Sequence, residues 1–433
     1  MEYILLFTSF ILTIICFRSK HLKRSLLTIF CITWFLIFFL YFLRFDLYDC
    51  RESTYLMYFI GIVSFFIGSI FCKPGTHVNY KWKGRDFLYT WKYVFLIFLS
   101  IISFIILIKR SLLALPLWLL DDGEGGAVKS AIVQNELSTG TLDDMIYGFI
   151  GRPMQIVMVI YAVITIFEKK KDYLIVFIAV LLTLAGYVCS ASKFSIAQVL
   201  TVAFAYVILY SKAGFKQILL RYKTLWLSLL GVVVFVSFMM SLRDDSIWYS
   251  FYIYVCGCVP MSDQALKVLD NNEPAYGMVT FNGLVRIINI IPNYFLGWGN
   301  EYKKVIDYYF DFMFQFEDAT YISKNTVYNA FISLFSYFYA DGGLIGVAFL
   351  SALFGWCCSK SYSYSISKPT ICSYSMVLYL AIFISQSMVR IKTFYAPDTM
   401  ALLIILFLFP RKSLDSPPSS PVFNKKARLV NKI

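Results

Sequence analysis

The stretch "NAFISLFSYFYADGGLIGVAFLSALFGW", residues 329–356, joins an aromatic segment and one carboxylate, Asp341, to an apolar run. The apolar run is long enough to cross a bilayer. A charge at the mouth of a membrane helix is costly, so it needs a structural or a functional reason. The stretch therefore predicts a membrane helix and marks Asp341 as a residue to explain.

The composition of the 433-residue chain extends this prediction to the whole protein. Hydrophobic residues make up 59%, charged residues only 15%, and the mean hydropathy is +0.69, whereas a soluble domain carries about 25% charged residues. We predict an all-α polytopic integral membrane protein with about 11 transmembrane helices over residues 1–410. A basic, Ser/Pro-rich tail, residues 411–433, is predicted to be cytoplasmic and disordered. The predicted spans are 3–17, 25–43, 55–72, 92–108, 148–167, 173–189, 194–211, 224–242, 342–358, 371–388 and 396–410.

The distribution of Lys and Arg predicts the orientation of these spans. With the N-terminus outside and the C-terminus in the cytoplasm, the cytoplasmic segments hold more than half of the 39 Lys and Arg residues but only four acidic residues. The basic pI of 9.1 is then a consequence of topology. Nucleic-acid binding, the other common explanation of a basic chain, has no soluble module to support it. Two long connections, residues 109–147 and 243–341, become external, and such lengths usually serve a function.

The sequence offers no external metal site or cofactor site. Both histidines, His21 and His77, fall in predicted cytoplasmic loops, and most of the ten cysteines lie in or beside predicted spans. Buried cysteines usually act as small hydrophobic residues. We therefore predict chemistry that needs neither a metal ion nor a cofactor.

Several basic residues stand near predicted outer helix ends. Any one of them can be an interfacial charge that extends to the lipid head groups, and Lys392, one step further from its span, is predicted to be such a charge. As a set they indicate an anionic ligand, because the outside is otherwise depleted of basic residues and guanidinium groups suit phosphate and pyrophosphate. The set is Arg152, Lys193, Arg243, Arg286 and Arg390.

Two segments resemble a known family. "NTVYNAFISLFSYFYADGGLIGVAFLSALFG", from Asn325 through Tyr339 and Asp341 to Gly346, resembles the N-V-Y-T…Y-x-D-F-G-x-x-G segment of Wzy-type O-antigen polymerases. "GYVCSASKFSIAQVL" resembles the turn between two consecutive spans of that family, with Lys193 where Arg is usual. The large external connection after the eighth span is also similar.

The resemblance implies a membrane glycosyltransferase with a glycosyltransferase-C-like bundle in the bacterial cytoplasmic membrane. Such an enzyme moves a growing chain from its undecaprenyl-pyrophosphate carrier onto a newly delivered repeat unit and builds O-antigen or capsular polysaccharide without a cofactor. The implied partners are the lipid-linked oligosaccharide, membrane lipid, a chain-length regulator and a flippase.

The candidate site residues follow from that chemistry. A departing pyrophosphate develops negative charge that cations stabilise, and the attacking sugar hydroxyl needs a proton acceptor. Candidate cations are Arg243, Arg286, Lys193, Arg390 and Arg152; candidate acceptors, unranked, are Asp341, Asp244 and Asp263. The motif adds Asn325, Tyr328 and Tyr339 as substrate-binding residues, and the external aromatic residues Trp248, Tyr249, Tyr294, Trp298 and Tyr308 are either sugar-stacking or ordinary interfacial residues.

Asp341 has two interpretations at this point. It caps the N-terminus of its own helix, with Gly342 and Gly343 in the first turn, or it also faces a sugar-binding cleft. Capping does not exclude catalysis.

Three other functions remain as alternatives. An O-antigen ligase shares the architecture and the carrier but is expected to use an external histidine. A polysaccharide flippase, a transporter with no enzymatic activity, is expected to lack a large external loop. A cytoplasmic-facing glycosyltransferase needs an acidic metal site, and the cytoplasmic loops hold only Asp86, Glu168, Asp172 and Asp415.

Overall fold

The computed structural model describes residues 1–19, 21–71, 90–120, 128, 131, 140–168, 172–190, 194–210, 247–295, 300–317, 320–324, 326–328 and 332–410. This part of the chain is helical apart from one antiparallel pair of short strands. The labels count the described elements only. The helices are α1 (Glu2–Arg18), α2 (Leu26–Phe42), α3 (Glu52–Ile70), α4 (Trp91–Leu120), α5 (Thr141–Ile146), α6 (Arg152–Phe167), α7 (Tyr173–Ser190), α8 (Phe194–Tyr210), α9 (Ile247–Cys256), α10 (Cys258–Leu269), α11 (Asn282–Phe295), α12 (Asn300–Phe314), α13 (Leu334–Ser367), α14 (Ile371–Ser385) and α15 (Ala396–Leu408). The strands are β1 (Thr320–Tyr321) and β2 (Val327–Tyr328), a π-turn (Tyr147–Gly151) joins α5 to α6, and 3₁₀ turns cover Gln315–Glu317 and Lys392–Phe394.

Five described helices are long and apolar enough to cross a membrane. They are Glu52–Ile70, Trp91–Trp118, Leu142–Phe167, Tyr173–Ser190 and Leu334–Ser367. Four shorter apolar helices accompany them: Leu26–Phe42, Ser195–Tyr210, Ile371–Ser385 and Ala396–Leu408. The structure thus confirms a helical chain with several helices able to cross a membrane, while the number of eleven spans is not confirmed. The predicted span 224–242 and the tail 411–433 lie outside the described residues.

The two connections predicted as external loops are largely helical where the structure describes them. Helix α4 continues twelve residues past the predicted start of the first connection at 109, to Leu120. The second connection, 243–341, holds α9 to α12 and the first eight residues of α13. Hydropathy misses these helices because their polar and aromatic residues alternate around the axis, which gives an amphipathic helix instead of an apolar window.

Helices α3 and α13 pack with their backbones in contact. A Cβ atom on Gly68 would lie 1.9 Å from the carbonyl oxygen of Ala352, and one on Gly355 would lie 2.1 Å from that of Phe65. The hydroxyl of Ser69 donates to the Gly355 carbonyl at 3.1 Å. Small residues at such contacts let membrane helices approach closely, so α3 and α13 form a tightly packed pair.

Helix α13 bends where its sequence carries the Gly-Gly pair. It begins at Leu334, after the N-cap residue Ser333, and has non-helical backbone angles at Gly342 and Gly343. Gly343 has a φ of +59°, a left-handed conformation that favours glycine. The predicted start of the span, residue 342, therefore coincides with the break between the two helical segments of α13, and the segment Leu334–Asp341 before it was not predicted.

The α3–α13 contact makes a prediction about stability. Gly68→Ala should lower the free energy of unfolding by about 1–3 kcal/mol, because its methyl group meets a backbone carbonyl that cannot move alone. Gly148→Ala is the matched control, since a Cβ there has no atom within 4 Å. Thermal unfolding of the purified protein in detergent measures both. Equal stability of the two variants would contradict the close helix pair.

Candidate functional site

The carboxylate of Asp341 holds the turn that precedes α11. Its Oδ1 accepts the backbone N–H groups of Gly277 at 2.9 Å and Val279 at 3.0 Å, and its Oδ2 accepts that of Thr280 at 2.8 Å. The side chain is buried, with the residue 5% exposed. Three N–H donors supply the partners that a buried carboxylate requires.

This geometry corrects one interpretation of Asp341. Its side chain does not cap the helical segment that follows the kink at Gly342 and Gly343, because both of its oxygens accept N–H groups from elsewhere. It accepts the N–H groups of a different segment, more than sixty residues earlier in sequence. The role of Asp341 as proton acceptor stays a prediction. It is disfavoured by the hydrogen bonds that both of its carboxylate oxygens already accept. The contacts make Asp341 a positioning residue for α11.

The first turn of α11 rests on the connection between α14 and α15. A Cβ on Gly283 would lie 2.6 Å from the backbone of Tyr395 and 2.7 Å from the carbonyl oxygen of Thr393. The side-chain amide of Asn282 donates to the carbonyl of Ile306 on α12 at 3.2 Å. These contacts fix α11 between α12 and this connection, and they place Arg286 one turn further along.

Arg286 is held by an acid and an aromatic ring of α12. Its Nη2 donates to Oδ1 of Asp307 at 2.9 Å, and its Cζ lies 3.9 Å from the centroid of the Phe310 ring. Burial lowers the pKa of Arg286, and Asp307 and Asp311 partly offset the effect. The guanidinium remains charged, since arginine is not deprotonated in proteins.

An aromatic ledge of Phe310, Phe394 and Tyr395 connects Arg286 to a second arginine. The Phe310 and Phe394 rings stack at 5.1 Å, and the Phe310 and Tyr395 centroids are 6.1 Å apart. The Cζ of Arg390 lies 4.6 Å from the centroid of Tyr395. Both guanidinium groups therefore contact neighbouring rings of one ledge, a favourable cation–π arrangement.

Lys392 is buried in the same connection and forms an ion pair. Its Nζ lies 3.2 Å from Oδ1 of Asp398, and the two residues are 4% and 1% exposed. Burial lowers the pKa of Lys392, the charge of Asp398 raises it, and the nearby positive charges of Arg152 and Arg390 lower it further. The sequence interpretation of Lys392 as an ordinary interfacial charge is therefore wrong.

Arg152 lies near Lys392 and belongs to a different element, helix α6. It is the first residue of α6, directly after the π-turn, and among the described residues it has no hydrogen-bond or ion-pair partner. The π-turn and Arg152 lie inside one continuous helical stretch, Leu142–Phe167, and π-turns inside helices occur frequently at functional sites. The position of Arg152 is therefore typical of a functional residue.

Salt bridges between Arg110 and two aspartates stabilise the π-turn that precedes Arg152 in sequence. The Nη2 of Arg110 lies 2.8 Å from Oδ2 of Asp143 and 2.6 Å from Oδ1 of Asp144. The Arg110 Cζ also lies 4.0 Å from the centroid of the Tyr147 ring. The sequence analysis missed this support, because residues 109–147 were interpreted as a loop.

Arg152, Arg286, Arg390 and Lys392 are called the basic cluster below. The elements that carry it also hold many buried polar atoms that require partners. Of the eleven buried side-chain N and O atoms without a hydrogen-bond partner in the described part of the chain, five belong to residues 282–286 and 387–398. They are Asn282 Oδ1, Arg286 Nε, Ser387 Oγ, Thr393 Oγ1 and Asp398 Oδ2. Because unpaired buried polar atoms are costly, this concentration is suited to a ligand rich in oxygen atoms and hydroxyl groups.

Asp263, a candidate proton acceptor, has a structural role. Its Oδ1 accepts the Thr54 hydroxyl at 2.7 Å and the Arg51 backbone N–H at 2.9 Å, and Lys267 lies 3.2 Å from its Oδ2. Burial opposes its ionisation, but the hydrogen bonds from Thr54, Arg51 and Lys267 lower the pKa of the carboxyl overall. Asp263 therefore ties α10 to the start of α3.

Arg51, which the sequence analysis missed, contacts the candidate residue Asp263 and shares an acid, Asp270, with the candidate residue Tyr339. Its Nη1 pairs with Asp270 at 3.2 Å, and the hydroxyl of Tyr339 donates to the same carboxylate at 2.6 Å. Its signal in the sequence is a basic residue in a short predicted external connection, between the second and third spans. Tyr328 is buried in β2, with its hydroxyl unpaired among the described residues.

The remaining candidates divide by what the structure describes. Arg243, Asp244, Lys193 and Asn325 lie outside the described residues, as do the side chains of Trp248, Tyr294 and Trp298. The Tyr249 hydroxyl lies 2.7 Å from that of Thr326, and Tyr308 is exposed. Of the predicted set, Arg286 and Arg390 contact neighbouring rings of the aromatic ledge, and Arg152 and Arg390 both lie near Lys392.

No protein-family model, curated protein or solved structure matches this chain. The described residues also contain no group of three or more His, Cys, Asp or Glu side chains able to hold a metal ion. A functional proposal for this chain therefore rests on the positions and contacts of its own residues.

The contacts of Asp341 make a second prediction. Asp341→Asn should lower the free energy of unfolding by about 1–3 kcal/mol, because the new NH₂ group faces an N–H donor and leaves it unpaired. Asp311→Asn, an exposed acid on α12, is the control and should change stability little. Thermal unfolding in detergent gives both values. An unchanged Asp341→Asn variant would remove the positioning role.

The Lys392–Asp398 pair makes a third prediction. Lys392→Met alone should cost about 3–5 kcal/mol of stability, since it leaves a buried carboxylate without a counter-charge. The double variant Lys392→Met, Asp398→Leu should recover most of that loss, because no buried charge remains. A double-mutant cycle of unfolding free energies measures the coupling. Additive effects of the two single changes would contradict the buried ion pair.

Proposed function

We propose that this protein is a membrane glycosyltransferase that polymerises undecaprenyl-pyrophosphate-linked oligosaccharide repeat units at the outer face of the bacterial cytoplasmic membrane. The product is O-antigen or capsular polysaccharide. The proposal includes a glycosyltransferase-C-like bundle of about eleven spans with the N-terminus outside and the C-terminus in the cytoplasm. The observation that carries it is the basic cluster: Arg286 and Arg390 contact neighbouring rings of the aromatic ledge, and Arg152 and Arg390 lie near enough to Lys392 to lower its pKa.

The basic cluster suits the leaving group of this reaction. The bond between the anomeric carbon of the growing chain and the carrier pyrophosphate breaks, and the pyrophosphate departs with increased negative charge. The oxygen of the acceptor hydroxyl forms the new glycosidic bond and gives up its proton to a base. Arginines already in place stabilise the departing anion without reorganisation, and their planar groups bind phosphate oxygens in pairs.

The charge distribution along the sequence supports a single-sided site. Residues 140–152, 282–286 and 387–395 all belong to segments that the orientation places outside. The contacts described above bring these three segments together in space. Segments assigned to the same side by charge thus also form the same site.

Deletion of the gene tests the function. Cells that lack the protein should display single repeat units on their surface acceptor instead of long chains, as seen by gel analysis of the surface polysaccharide. Loss of every repeat unit, the single one included, would point to a flippase or a ligase.

Variants of the basic cluster form the fourth prediction. Arg152→Ala and Arg286→Ala should each slow elongation of purified lipid-linked repeat units about a hundred- to thousandfold, the effect of losing one transition-state charge contact. Arg286→Lys should recover only part of the rate, because the ammonium group cannot reproduce the planar fork.

Lys304→Ala is the matched control for these variants, since Lys304 is an exposed cation on α12. It should leave the rate and the polymer length unchanged. Normal polymer from both alanine variants, at normal protein levels in the membrane, would remove the basic cluster from the mechanism.

A further inference from the structure

A pocket lies against the turn that Asp341 holds. Its volume is about 170 Å³, and it is bounded by the end of α10, the turn after it, α12 and the kink of α13. Ala340 and Gly343 form the wall at the kink, and Ala275 and Val279 form the wall at the turn held by Asp341. This volume is smaller than the usual site for a drug-sized ligand and suits one ring of a saccharide.

The lining of the pocket combines acids with aromatic rings. Asp270 and Glu273 supply carboxylates, and Tyr309, Phe312 and Tyr339 supply rings. The Tyr339 hydroxyl donates to Asp270 at 2.6 Å, which leaves other lone pairs of that carboxylate available. Carboxylates accept hydrogen bonds from hydroxyl and ammonium groups, and rings cover the apolar face of a sugar.

The charge of this lining is one-sided. Neither Lys nor Arg lines the pocket, and Glu273 has no ion-pair or hydrogen-bond partner among the described residues. Burial and the nearby Tyr308 and Glu273 raise the pKa of Tyr309, so its hydroxyl remains a donor. Arg51 pairs with Asp270 at 3.2 Å, so the uncompensated negative charge of the lining is that of Glu273. Glu273 would repel an anionic sugar but not a neutral or amino sugar.

We propose that this pocket is a saccharide subsite that accepts a neutral or amino sugar and rejects sugars bearing a carboxylate or phosphate. The assignment rests on the proposed function, and it names the class of sugar that the repeat unit presents here. Its position fits that role because α12 contacts Arg286 through Asp307 and Phe310 while Tyr309 and Phe312 of the same helix line the pocket.

Saturation-transfer NMR on the full-length protein in maltoside-free lipid nanodiscs tests the subsite. The probes are methyl glucoside, glucosamine and glucuronate. The wild-type protein should saturate the first two and not glucuronate. Glu273→Lys should reverse the preference between glucosamine and glucuronate by at least about tenfold, because it replaces the repelling charge with an attracting one.

Asn271→Lys is the matched control, since Asn271 is exposed and adjacent in sequence but does not line the pocket. It should keep the wild-type preference. Equal binding of glucuronate to the wild type, no saturation of any probe, or displacement of glucosamine by Ca²⁺ at a 1:1 ratio would each overturn the subsite. The last result would make the pocket a cation site.

Elongation of lipid-linked repeat units in the same nanodiscs separates the two proposals. Elongation without the predicted sugar preference overturns the subsite and leaves the proposed function. The sugar preference without elongation supports a saccharide site and overturns the polymerase function.

Discussion

The hydrogen bonds of the Asp341 carboxylate are the constraint on which the candidate site depends. A charge inside an apolar helix is tolerated only when strong donors surround it, and here the donors are three backbone N–H groups of another segment. The kink at Gly342 and Gly343 follows this carboxylate directly. The turn it holds leads into α11, whose Gly283 rests on the α14–α15 connection. One side chain thus sets the position of Arg286 relative to the aromatic ledge.

The basic cluster itself is maintained at an energetic cost. Lys392 is desolvated beside Asp398, and two further cations, Arg152 and Arg390, lie near it. Local costs of this kind persist where the surrounding fold holds them in place and are typical of functional sites. The supports are identifiable: Arg110 with its two aspartates holds the π-turn, and the first turn of α11 rests with Gly283 on the backbone of Thr393 and Tyr395.

The sequence predicted the parts of this arrangement that depend on local composition. The apolar windows located the five helices long enough to cross a membrane. The depletion of external Lys and Arg singled out Arg286 and Arg390, which contact neighbouring rings of the aromatic ledge, and Arg152, which lies near Lys392. Long-range partners were not predictable in this way. The turn bound by Asp341, more than sixty residues before it, and the Asp398 partner of Lys392 are set by packing, not by spacing. The start of α13 at Leu334 was missed because its first turns are aromatic and polar, so hydropathy cannot separate them from a loop.

Helix α12 shows how one amphipathic segment relates two sites of opposite charge. Positions three or four apart share a face of a helix, so Asp307, Phe310 and Asp311 lie towards Arg286. Tyr309 and Phe312, also three apart, lie on the opposite face and line the acidic pocket. The opposite charges of the two sites come from the segments packed against α12, with Arg286 on one side and Glu273 on the other. The proposed substrate has a phosphate-rich end and a hydroxyl-rich end, and these two groups can orient it by charge, since its anionic end is attracted to Arg286 and repelled by Glu273. The alternation of acids and aromatic rings around α12 also explains why the stretch "VIDYYFDFMF" resembles neither a soluble helix nor a membrane span.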